Sequence, residues 1–220
     1  MIKSIKIHLK LNVITKFILL IISVLCSIVV QSQEFIQWRG DNRDGIYNET
    51  GLLKQWPAEG PKLLWHYDNL GQGHASAAVS DTRVYTAGTT EDGQGFVIAL
   101  DHNGNETWKQ IYGKEFMESW PGVRSTPNID GDRLYMYSSY GKLVCMNKNN
   151  GNIIWTVDVF EDYDGENIKW AVTENLVIHQ DKIFVTAGGK EANVLALNKN
   201  DGSFIWKNKG KQEKSAYCSP

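Results

Sequence analysis

Cysteine and proline are scarce in this chain, with three and five residues among 220. Cys26, Cys145 and Cys218 are far apart and form no Cys-x-x-Cys pair, so thiol redox chemistry and a disulfide framework have no support. Neither a Gly-x-Ser-x-Gly elbow nor a phosphate-binding P-loop occurs, which removes two common enzyme classes. Excess positive charge is also missing: 23 basic residues stand against 25 acidic ones, so nothing marks a surface for a phosphate backbone, and no nucleic-acid partner is expected.

The longest apolar run, Phe17 to Val30, is short and broken by Ser23, Cys26 and Ser27. As a helix it spans roughly 21 Å against a hydrocarbon core of roughly 30 Å. Lys3, Lys6, Lys10 and Lys16 precede it and Val30-Gln31-Ser32 follows, so residues 1–32 read as a secretory signal peptide. An uncleaved anchor helix is the alternative, and lipid attachment at Cys26 a third, disfavoured by the bulky Leu25 before it. Removing residues 1–32 deletes four lysines and no acids, leaving 19 basic against 25 acidic residues and a net charge of −6. Export to the periplasm or beyond is expected, with membrane contact only through this segment.

What the chain does have is an internal repeat. Arg83-Val84-Tyr85, Val97-Ile98-Ala99-Leu100-Asp101, Gly104 and Trp108 lie on Arg133-Leu134-Tyr135, Leu143-Val144-Cys145-Met146-Asn147, Gly151 and Trp155. Both lie on Lys182-Ile183-Phe184, Val194-Leu195-Ala196-Leu197-Asn198, Gly202 and Trp206. Tyr85, Tyr135 and Phe184 are 50 and 49 residues apart, and the tryptophans step by 47 and 51. Short alternating apolar stretches between Asp-Gly and Asn-Gly turns, at this period, predict an all-β propeller of four-stranded antiparallel blades. The blades fall at about 74–113, 122–160 and 171–210, after an extension over 33–60, and a next blade starts at 215–220. In the second, the strands are expected at 125–129, 133–138, 142–147 and 152–157. The recurring tryptophan is expected as a wedge between blades, and Cys145, aligned with Ala99 and Ala196, as a small core residue.

Lys62-Leu63-Leu64-Trp65-His66-Tyr67 matches the final strand of a repeat and reads as an isolated outermost strand that completes a last blade on ring closure. Three blades with loose strands at either side leave unpaired edges. The expectation is an incomplete ring, a fragment whose further blades lie downstream.

The three Ala/Cys–Leu/Met–Asp/Asn…Gly…Trp blocks resemble the PQQ-like (pyrroloquinoline-quinone) β-propeller repeat family. Gln37-Trp38-Arg39-Gly40-Asp41-Asn42-Arg43-Asp44-Gly45-Ile46 is similar to the opening of its exported bacterial members, and Gly122-Val123-Arg124-Ser125-Thr126-Pro127 also fits. WD40 repeats fit less well, lacking their Gly-His context. The resemblance implies either a quinoprotein alcohol dehydrogenase, with PQQ and calcium on the propeller axis, or a non-catalytic envelope scaffold. The adjacent-cysteine pair common in those dehydrogenases is missing. The favoured expectation is a ligand- or protein-binding scaffold in the cell envelope, with a small molecule or an envelope protein as partner. The alternative is a PQQ-dependent alcohol or polyol dehydrogenase, present as an inactive fragment.

In a propeller the start of each first strand faces the axis. Aligned there are His74, Arg124, Thr173 and Tyr217, followed by Ala75, Ser125, Glu174 and Cys218. These vary while the scaffold positions do not, as a site around a shared hub requires. His74, Arg124, Glu174 and Tyr217 are therefore candidate binding residues; no catalytic or metal-ligating residue is assigned. Arg124 suits a carboxylate through a forked pair of hydrogen bonds, and Glu174 suits a cation or a base role. The two are equally suited to pairing with each other. Trp120 and Trp170 suit stacking on a planar ligand, or plugging the ring. The acidic run Asp162-Tyr163-Asp164-Gly165-Glu166-Asn167 breaks the calcium-loop spacing and reads as a solvated loop.

Overall fold

The computed structural model describes residues 34–220, so the export segment expected over 1–32 lies outside the described residues. Three antiparallel sheets follow one another along the chain. The first orders β2 (Ala78–Val79), β3 (Val84–Thr89), β4 (Gln94–Leu100) and β5 (Glu106–Lys114). The second orders β6 (Asn128–Asp130), β7 (Arg133–Tyr137), β8 (Lys142–Asn147) and β9 (Ile153–Asp158). The third orders β10 (Val177–His179), β11 (Lys182–Thr186), β12 (Val194–Asn198) and β13 (Phe204–Asn208). These sheets are propeller blades.

Register explains the repeated residues. Across the middle strand of each blade run the rows Tyr85–Ala99–Trp108, Tyr135–Cys145–Trp155 and Phe184–Ala196–Trp206. A small residue at the centre lets the flanking rings meet over it, with centroids 6.0, 6.1 and 5.9 Å apart. A bulge follows at the same place in every blade, after Ala99, Cys145 and Ala196.

Alternation buries both faces of the middle blade. Leu134, Met136, Val144 and Met146 pack with Tyr85, Val97 and Ala99 of the first. Tyr135, Tyr137, Leu143 and Cys145 pack with Ile183, Val185, Leu195 and Leu197 of the third. Every such strand residue points to one neighbour or the other because side chains alternate across a sheet. The outer tryptophans wedge these joints: Trp108 Nε1 donates to Lys148 O at 3.0 Å and Trp155 Nε1 to Lys199 O at 3.2 Å.

Residues 62–67, expected as an isolated strand, are paired into no sheet, and Trp65 packs on Phe96, Ile98 and Leu100 of the first blade. Three features differ from the sequence reading. The first strand of the second blade is only Asn128–Asp130, because Ser125 and Thr126 bond sideways to the next blade instead. An unforeseen β1 (Phe35–Ile36) pairs with β6 and makes that sheet five-stranded. The acidic run begins in a short helix, α1 (Val159–Tyr163), capped by Asp158 accepting from Glu161 N–H.

Candidate functional site

Equivalent positions on successive blades are stitched together where the inner strands begin. Ser76 N–H donates to Thr126 Oγ1 at 3.1 Å, and Thr126 N–H to Asn175 Oδ1 at 2.7 Å. Ser219 Oγ donates to Asn175 O at 2.6 Å, and His74 N–H to Val123 O at 2.6 Å. This stitching gathers His74, Arg124, Thr173 and Tyr217 around one cavity of about 450 Å³, whose remaining lining is Trp120 and Trp170. Tyr217 and Trp170 meet with ring centroids 5.8 Å apart. Trp120 is held with φ +49°, and Ala171, beside Trp170, with φ +61°. Such left-handed non-glycine residues persist where surrounding contacts hold them, and they cluster at binding sites.

Arg124 does those holding duties. Its Nη2 donates to Ser119 O at 3.0 Å and Trp120 O at 2.9 Å, and its Nη1 donates to Trp170 O. The guanidinium lies over the Phe116 ring, 4.8 Å from its centroid. Burial lowers its pKa, opposed by the nearby Glu115 carboxyl. The expected fork toward a ligand carboxylate is thus already spent on protein carbonyls. Beneath it, Glu115 accepts from Tyr112 Oη at 2.6 Å and Ser139 N–H at 3.0 Å, and burial pushes its own pKa up.

Glu174 is not brought to the cavity. It is fully buried, with its carboxylate oxygens 3.0 and 3.2 Å from the Thr186 N–H, which they accept. Burial pushes its pKa up to about 8, with the Thr186 bonds pulling the other way. It makes no ion pair with Arg124 among the described residues. Thr173, in the stretch that leads into β10, lines the cavity, while Glu174 beside it is turned into the protein against Thr186.

The other ends of the inner strands meet the Gln37–Ile46 segment. Gly40 N–H donates to Gln37 O, Arg43 N–H to Gly40 O and Gly45 N–H to Arg39 O, folding it into a compact loop. Arg43 Nε donates to Gln37 Oε1 at 2.9 Å and its Nη2 to Ile178 O at 3.2 Å. Glu34 pairs with Lys148 and accepts from Asp81 N–H. Repeat alignment has no counterpart for this loop, so its contacts were not readable from it. A second cavity, about 860 Å³, lies between the loop and Ser76–Val79.

Calcium beside a quinone requires about six to eight oxygen ligands. The described lining of the hub cavity offers no carboxylate, and among the described residues no three His, Cys, Asp or Glu side chains converge. This donor set does not fit a calcium–quinone pair.

A family model described as outer membrane protein assembly factor BamB matches residues 93–220. Outer membrane protein assembly factor BamB of Shewanella oneidensis is 34% identical over 120 residues, covering 50% of this chain and 30% of the relative. The quinoprotein ethanol dehydrogenase of Pseudomonas aeruginosa is 29% identical over 102 residues, covering 46% of this chain and 16% of the relative. Among solved structures, the quinohemoprotein alcohol dehydrogenase of Comamonas testosteroni superposes with a TM-score of 0.51 at 17% identity, over 67% of this chain and 22% of that one. That likeness concerns the fold. The chain spans less than a third of the length of each.

Proposed function

The chain belongs to the repeat family described as outer membrane protein assembly factor BamB, and on that premise we propose that it is an exported binding module of the cell envelope. Its ligand is an uncharged, ring-bearing segment of a small molecule or protein, taken at the hub cavity. One observation carries this reading: successive blades contribute His74, Arg124, Thr173 and Tyr217 to a single cavity whose other walls are two tryptophans. Aromatic walls with few polar groups suit apolar or ring-bearing ligands. Export is supported by the basic flank and short apolar run of residues 1–32.

A random peptide library panned on the chain and on a Trp120→Ala/Trp170→Ala variant tests the site. Sequences enriched in aromatic residues on the parent and lost on the variant support it. Identical enrichment on both overturns it.

The quinoprotein reading keeps one supporting observation, the match to an ethanol dehydrogenase. Addition of PQQ and calcium chloride distinguishes it. Stoichiometric uptake of the quinone absorbance with alcohol-dependent dye reduction would replace the binding-module reading.

A further inference from the structure

Ser139 sits in the β7–β8 turn of the second blade, buried and outside the lining of the hub cavity. It grips the loop that arrives from the first blade and carries Trp120. Its hydroxyl accepts from Phe116 N–H at 2.8 Å, and its own N–H donates to the Glu115 carboxyl at 3.0 Å. The Phe116 carbonyl in turn accepts from Gly122 N–H at 2.8 Å, which closes that loop around Trp120. Ser139 also grips the loop that leads to the third blade and carries Trp170. Its carbonyl accepts from Asn167 Nδ2 at 3.1 Å and from Val172 N–H at 3.4 Å.

The first blade uses the same position in a similar way. Thr89 stands four residues after Tyr85, as Ser139 stands four after Tyr135. Its hydroxyl accepts from Gln72 N–H at 3.1 Å and donates to Gln72 O at 3.0 Å, holding the stretch that leads to His74. A hydroxyl at this turn thus seats an incoming hub loop in two blades. In the second blade the carbonyl of the same residue seats the outgoing loop as well. Arg124 joins the two loops at a separate point, through Trp120 O and Trp170 O.

We propose that Ser139 is a positioning residue of the hub cavity: it couples the Trp120 and Trp170 loops, so that loosening either one loosens the other. Its consequence for binding rests on the reading of that cavity as a ligand site, because the coupled loops carry the two tryptophan walls. Local opening of a loop breaks the bonds that seat it. Here those bonds end on one buried residue that the other loop also needs. A ring entering between walls held in this way meets a gap already set, at less ordering cost than two independent flaps would demand.

The test is native-state hydrogen exchange on the full chain without ligand, so its outcome is separate from that of the peptide panning. Ser139→Ala removes the Phe116 acceptor and no bond of the Trp170 loop. It is nevertheless expected to speed exchange at residues 170–172 by about fivefold or more, since coupling of this kind is reciprocal. Asn167→Ala removes bonds of the Trp170 loop only and is expected to speed exchange at residues 116–122 by a similar factor. Ser139→Thr keeps the hydroxyl and is expected to exchange as the parent does. The β12 amides, Val194–Asn198, are the reference and are expected to stay unchanged. Faster exchange confined to the loop that lost its bond overturns the proposal. So does an equal rise in β12, which marks general loosening, or a Ser139→Thr chain as loose as Ser139→Ala.

Discussion

The Trp155 indole fills the space that a side chain at residue 202 would need: a Cβ on Gly202 would lie 2.9 Å from its Cε3. Gly202 also has φ +75°, a conformation that costs an L-residue about 1–2 kcal/mol. Gly51 has a similar φ of +73° with nothing within 4 Å of such a Cβ. Gly202→Ala is therefore expected to lower the denaturant midpoint clearly more than Gly51→Ala. Equal losses would mean the wedge does not press on the turn.

The wedges are not equivalent in what they hold. Trp155 bonds Lys199 O and is partly buried against the core between blades, whereas Trp206 is more exposed, with no hydrogen bond to its indole among the described residues. Trp155→Ala is expected to cost about 2–3 kcal/mol, below the range of a fully buried tryptophan, and Trp206→Ala well under half of that, read from equilibrium urea unfolding.

Arg124 ties the Trp120 and Trp170 segments together through three carbonyls. Lysine offers a point charge and no planar fork, so Arg124→Lys is expected to free both tryptophans. Faster amide exchange near 119–120 and 170–171 reports this. Loss of about 1–3 kcal/mol in stability accompanies it.

Glu174 makes stability depend on pH. Its folded pKa of about 8 lies above the ordinary 4.5. Between those values the folded chain retains a proton that the unfolded chain has released. Stability falls as pH rises through that window, by an amount on the order of a few kcal/mol. In Glu174→Gln this part of the slope is expected to vanish, with the variant gaining on the parent most above pH 8. Urea unfolding at pH 5 and pH 9 checks it; an unchanged slope would mean that the carboxyl is ionised in the fold.

Cys145 is buried, and burial pushes its thiol pKa up to about 11, while Cys218 is exposed. Thiolate is the reactive form. Ellman's reagent at pH 8 is expected to modify Cys218 in the native protein and to reach Cys145 only on unfolding, as peptide mapping of the labelled chain will read.

Much of the architecture was legible because the repeat records its own packing. The alternation of Leu134, Tyr135, Met136 and Tyr137 states that a blade has two buried faces, and the aligned Ala99, Cys145 and Ala196 mark where two rings must meet. Of the four candidate binding residues, His74, Arg124 and Tyr217 line the cavity and Glu174 does not. What alignment does not encode is direction: the sequence reading takes Glu174 as the candidate in preference to Thr173, whereas Thr173 lines the cavity and Glu174 is buried against Thr186. Nor does it show that Arg124 is spent on carbonyls, because those acceptors are backbone groups that any residue at 119, 120 and 170 would supply. The pairing of Phe35–Ile36 with β6 was invisible, since it occurs once and has no copy to be aligned with.

Arg43 of the amino-terminal loop reaches the carbonyl of Ile178, a link between residues 135 positions apart. Each blade, by contrast, is built from hairpins whose strands are neighbours along the chain. Closing so long a span is entropically slow, whereas the local hairpins form quickly. The loop is consequently expected to settle late in refolding, a clasp that latches after the three blades stand side by side, which stopped-flow refolding of an Arg43→Ala variant will read.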